Sequence, residues 1–142
     1  MGPLRLRERV GTIDAAKLTS SDLEPVFRQK PAIHRFPAKM AERVQALATH
    51  VRDEYGGDAA RVWTDANDAA GLRRNIAALP GFGEMKIKSL AAVLANRFDV
   101  KQARELVPSH PTLGDVGSPQ ALLDYQSAKR EHKLSLSRSG KR

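Results

Sequence analysis

The chain has 142 residues, 41% hydrophobic but only 5% aromatic, and 24 Lys and Arg against 16 Asp and Glu give it a net charge of +8. That size suits one domain with a single core, built mostly from Leu, Val, Ile and Ala. Cysteine is absent, which excludes disulfides, thiolate zinc sites and cysteine-held iron–sulfur clusters. No stretch approaches the roughly 20 apolar residues of a membrane span, and no continuous apolar segment follows the basic N-terminus as a secretory leader requires. The expected location is the cytoplasm, with no membrane partner.

The pattern reads as helix after helix, without a strand. Residues 14–18 form a short helical turn. Ser21 with Glu24 three residues on reads as a capping box that starts a helix through Gln29, with Pro25 tolerated in its first turn and Pro31 ending it. Pro37 opens the longest helix, which runs to about Tyr55 and stops at Gly56-Gly57. Its apolar face is Met40, Val44, Leu47, Ala48 and Val51. Asp58 caps a short helix containing Val62 and Trp63. Asn67 or Asp68 caps the next, which buries Leu72, Ile76 and Leu79. After a turn over residues 80–83, a helix over residues 84–97 places Ile87, Leu90, Ala91, Leu94 and Phe98 on one side. Residues 99–117 are rich in Pro and Gly and read as loop. Ser118-Pro119 starts a last helix over residues 120–133, anchored by Leu122, Leu123 and Tyr125. The expected fold is an all-α, compact multi-helix domain over residues 1–133, with residues 134–142 as a disordered basic tail.

More than half of the net charge lies in residues 129–142, where Lys129, Arg130, Lys133, Arg138, Lys141 and Arg142 face one acid, Glu131. Such a run attracts polyanions by counterion release, without reading sequence. It equally suits a solvated, solubilising end.

The informative string is LPGFGEMKIKSLAAVLANRF, residues 79–98. Two amphipathic helices meet at a turn with Gly81 and Gly83 on either side of Phe82. Glycine admits positive φ and leaves no Cβ between the backbone and a close ligand. The turn amides then lie beside the positive end of the second helix, an arrangement suited to one backbone phosphate. Lys86 and Lys88 add charge just downstream, and Phe82 serves as an apolar knob. Pro80, Gly81, Phe82, Gly83, Met85, Lys86 and Lys88 are therefore the candidate DNA-binding set. An ordinary helix–turn–helix connection is the plainer reading of Pro-x-Gly alone. The coincidence of both glycines, the lysines and the long apolar stripe favours DNA.

That string resembles the helix-hairpin-helix of the HhH-GPD DNA glycosylase superfamily. The resemblance widens through PAIHRFPAKMAERVQAL and the SPQALLDYQSAKREHK end, which are similar to actinobacterial HhH-GPD-type base excision repair proteins. It implies one helix-hairpin-helix at residues 72–97, sequence-independent binding of double-stranded DNA, and hydrolysis of the N-glycosidic bond of an extruded base. Where bifunctional members carry a lysine nucleophile this chain has Met85, which cannot form a Schiff base. Lys86 is turned about 100° away on a helix. Ala103 stands near the place of the family's essential aspartate, with Asp99 too early, Asp115 too late, and Glu105 the nearest acid. Family members begin with further helices before the segment resembling Gly2-Pro3-Leu4-Arg5-Leu6, so the chain reads as lacking them.

The function implied is a DNA-binding protein of base excision repair type, a monofunctional glycosylase if it is active, without lyase activity; no catalytic residue is identified, Glu105 being the one candidate acid and a solvated helix residue its plainer reading. A non-catalytic DNA-binding protein and a helical protein-interaction module are the alternatives. His34 reads as a packed loop histidine. His50, His110 and His132 show no ligand spacing, so no metal is expected, and the resemblance allows at most a monovalent cation at the hairpin. Trp63 and Tyr125 read as core. The expected state is a monomer, associated with the nucleoid.

Overall fold

A computed structural model describes residues 2–139, with the side chain of Ser139 left aside. It is all-helical, with no strand among the described residues. Its backbone contacts gather into two compact units. One holds the residues up to Asp65 together with Ala78–Gly81, and the other holds Ala66–Ala77 and the residues from Phe82 onward.

The first unit contains α1 (Gly2–Val10), α2 (Ala15–Ser20), α3 (Leu23–Arg28), α4 (Pro37–Tyr55) and α5 (Arg61–Thr64). The periodic pattern gives no signal for α1, yet its Leu6 is buried with Leu18, Leu23, Phe27, Ala41 and Ala48 in one core. Arg9 ties α1 to the end of α3 by donating to the carbonyls of Val26, Gln29 and Pro31 at 2.8–2.9 Å. Of these, the Val26 carbonyl lies in the last turn of α3, where a helix leaves its carbonyls without intrahelical partners. Asp14 caps α2 by accepting the amide of Lys17. The expected capping box of Ser21 and Glu24 does not form. Asp22 is the N-cap of α3, Ser21 donates back to the Lys17 carbonyl, and Glu24 pairs with Arg28 one turn on. A hydroxyl just past a helix end has a nearer acceptor in that helix than in the next one. α4 begins and ends as expected, Gly56 taking the left-handed conformation at φ 62°.

The second unit is organised around α7 (Glu84–Phe98). α6 (Ala69–Ala78) precedes it, and Asp68 accepts the Gly71 amide at the start of α6. Leu72, Ile76, Ile87, Ala91, Ala92 and Leu94 are buried. Residues 99–117 are more ordered than the loop expected, with two 3₁₀ segments, Lys101–Leu106 and Leu113–Asp115, that pack on α7. The second lies so close that a Cβ on Gly114 would stand 2.6 Å from the Ala92 carbonyl carbon. Phe98, expected on the apolar side of α7, is the last residue of that helix and is 60% exposed, just before the chain turns left-handed at Asp99.

The last helix, α8 (Pro119–Ser139), has 21 residues and is longer than α4 with its 19. It continues through residues 134–139, where a disordered tail was expected. Ser118 accepts the Ala121 amide at its start. None of its described side chains is buried, and the expected anchors Leu122 and Leu123 are 40% and 56% exposed.

Candidate nucleic-acid interface

α6 and α7 are joined by the five residues from Leu79 to Gly83. The two glycines of this turn differ. Gly81 has φ 79°, the left-handed region that favours glycine. Gly83 is extended at φ −101° and ψ −178°, as any residue could be, and caps α7. What glycine provides there is room, since nothing lies within 4 Å of where its Cβ would stand. The Gly83 carbonyl accepts the amides of Lys86 and Ile87 and starts the helix. By helix geometry the amides of Glu84 and Met85 have no intrahelical partner.

Glu84 occupies the first turn of α7, and Arg73 on α6 donates to both its oxygens at 3.1 and 2.7 Å. Lys88 stands 3.6 Å from the same carboxylate. Hydrogen bonding from Arg73 holds the Glu84 carboxyl below the ordinary carboxylate range, against an opposing effect of burial. The same bond raises the Arg73 guanidinium. Sequence reasoning missed this pair because its members are 11 residues apart on different helices. Lys86 carries its ammonium 5.5 Å from the centre of the Phe82 ring, and Phe82 is half-buried. Met85 is 77% exposed.

Beside these first turns lies a cavity of about 300 Å³, walled by Met85 and Lys88 of α7, by His110, and by Tyr125, Lys129 and His132 of α8. Two groups picked separately from the sequence, the hairpin and the basic C-terminal run, thus meet at one cavity. His110 and His132 stack with ring centres 5.5 Å apart, a juxtaposition that spacing along the chain could not announce. A second cavity of about 450 Å³ shares His110, Pro111 and Tyr125 and is bordered by Asp115 and Asp124. Asp115 accepts the Thr112 amide at 2.7 Å, its hydroxyl at 3.1 Å and the Asn96 amide group at 3.4 Å.

The other acids stand elsewhere. Asp99 pairs with Arg104, and Ala103 is fully buried within the first 3₁₀ segment. Glu105 lines a groove of about 440 Å³ with Asn67, Asp68, Lys101 and Gln102, and that groove shares no residue with the two cavities. Arg130, Lys133 and Arg138 are exposed on α8, whereas Lys141 and Arg142 lie outside the described residues. In the first unit, His34 accepts the Phe36 amide at 3.1 Å as a loop histidine would. Trp63 and Tyr125 are half-buried rather than core.

Among the described residues no group of three or more His, Cys, Asp or Glu is placed to hold a metal ion. No helix among them is long and apolar enough to cross a membrane. A scan against protein-family models finds no match to this chain, and searches of curated proteins and of solved structures return none.

Proposed function

We propose that this chain binds double-stranded DNA along its phosphate backbone, without reading sequence, by using α6, the turn and α7 as a helix-hairpin-helix. The supporting observation is the start of α7. A glycine N-cap with open space before it leaves the first amides approachable, and the helix dipole is positive there. Arg73, Lys86 and Lys88 stand around it against the single acid Glu84. Lys129, Arg130, Lys133 and Arg138 on α8, with Lys141 and Arg142 beyond, add attraction of the counterion-release kind. Phosphate contacts of this sort position a duplex and carry no base information.

Base excision of the monofunctional type is the finer reading. The cavity beside Met85 favours it, because it adjoins one bordered by the Asp115 and Asp124 carboxylates. An oxocarbenium-like centre needs a nearby carboxylate, and Asp115 now joins Glu105 as the acid to test. Met85 offers no amine where the resemblance places the lysine nucleophile, so no lyase step is expected from that position.

The binding test is Gly83→Val. A branched side chain at this cap is expected to weaken binding to duplexes of every sequence by about tenfold, the effect of removing roughly one charge-assisted hydrogen bond, while helicity by circular dichroism stays intact. Unchanged affinity in the folded variant defeats the proposal. For the chemistry, duplexes carrying uracil, oxidised or alkylated bases are incubated and resolved with and without alkali. Cleavage only after alkali, abolished by Asp115→Asn or Glu105→Gln, establishes the glycosylase. Borohydride trapping of a covalent complex refutes the absence of a lyase.

A further inference from the structure

We infer that α8 carries a docking groove for an acidic, amphipathic segment of a partner protein, with an apolar floor that the phosphate grip lacks and a rim of Lys129, Arg130 and Lys133 that it shares with the proposed DNA surface. The groove has a volume of about 450 Å³. Its floor is apolar, made by Leu113 from the second 3₁₀ segment with Leu122 and Tyr125 of α8. Its rim is cationic, made by Lys129, Arg130 and Lys133. No carboxylate lines it.

Residues 122, 126, 129 and 133 follow the alternating spacing of four and three that puts side chains on one helix face. Lys129 holds its ammonium 5.5 Å from the centre of the Tyr125 ring, so charge and apolar surface are interleaved rather than segregated. Leu113 is 55% exposed, and together with Leu122 it leaves the groove floor open to solvent. A phosphate backbone answers the rim but offers nothing to that floor. A peptide with Glu or Asp among Leu, Ile or Phe side chains answers both, in the manner of an amphipathic helix laid into a groove. Charge complementarity therefore selects the sign of the partner, and the leucines select a peptide over a nucleic acid.

The test is selection of a random twelve-residue peptide library displayed on phage against the intact chain, with duplex DNA as competitor in a parallel arm. Enrichment of sequences that interleave acidic and apolar residues is expected. The variant Leu113→Ser/Leu122→Ser changes no charge and alters exposed positions, so the chain stays folded by circular dichroism. It is expected to weaken the selected peptides at least tenfold and to leave duplex affinity unchanged. Lys129→Glu/Lys133→Glu is expected to abolish peptide binding. No enrichment, or enrichment insensitive to the leucine variant, overturns the inference. So does a tenfold loss of duplex affinity in the leucine variant, which would make DNA the occupant. Self-association relieved by that variant in sedimentation would make a second copy the occupant and overturns it equally.

Discussion

Gly81, Gly83 and Gly114 are glycines for three different reasons. Gly81 bends the backbone into the left-handed region, where an alanine costs about 1–2 kcal/mol. Gly83 keeps space free in front of α7, so Gly83→Ala is expected to leave the denaturation midpoint unchanged while Gly81→Ala lowers it. Gly114 admits no Cβ at all, since the atoms within 2.8 Å of that position include the carbonyl of Ala92. Gly114→Ala forces the second 3₁₀ segment off α7 and is expected to destabilise by about 1–3 kcal/mol, as overpacking does. Urea denaturation of the three variants ranks them, and a neutral Gly114→Ala contradicts the close approach. Only the turn pair was legible in the sequence. A glycine beside a proline and a helix start announces a turn, whereas Gly114 owes its identity to a residue 22 positions earlier on another element.

Several helix starts and stops could be read because their signal is local, although the equally local Ser21 and Glu24 pair did not cap α3. Asp14, Asp68, Pro37 and Gly56 each act within five residues of themselves. What covers an apolar face could not be read. Leu122 and Leu123 have helical spacing, yet nothing in that spacing says whether another element lies over them, and they are exposed. The candidate site divides in the same way: its lysines and glycines are contiguous in the chain, but Arg73, His110 and His132 reach it from other segments. The Arg73–Glu84 pair bears on binding. Because the Glu84 carboxyl is held below its ordinary range by Arg73, its contribution is complete above the ordinary carboxylate pKa and fades only as pH falls through the lowered value. At neutral pH the acid therefore opposes phosphate and occupies a guanidinium. Glu84→Gln is expected to raise duplex affinity and to steepen the log–log salt slope by about 0.9 if Arg73 then takes a phosphate. Fluorescence anisotropy across a salt series reads both, and a weaker complex contradicts the assignment of the α7 start to DNA.

Across the whole chain the charge is unevenly spread, with the excess toward the C-terminus. Deleting residues 135–142 removes Arg138, Lys141 and Arg142 and keeps the groove cations in place. The salt slope for duplex binding is expected to fall by about 0.9 for each phosphate that these cations neutralise. A slope that does not move assigns those three charges to solvation alone. The all-helical class was legible from composition and period. The division into two units was not, because it depends on which buried stripes meet, and periodicity is silent about that.

The open space in front of Gly83 also has a practical side. The chain contains no cysteine, so a thiol introduced at this position would be the chain's only thiol. A cap that is extended and uncrowded can take a small fluorophore without rebuilding the turn. The protein thus offers, at the start of α7, a place from which local polarity and solvation can be reported by light.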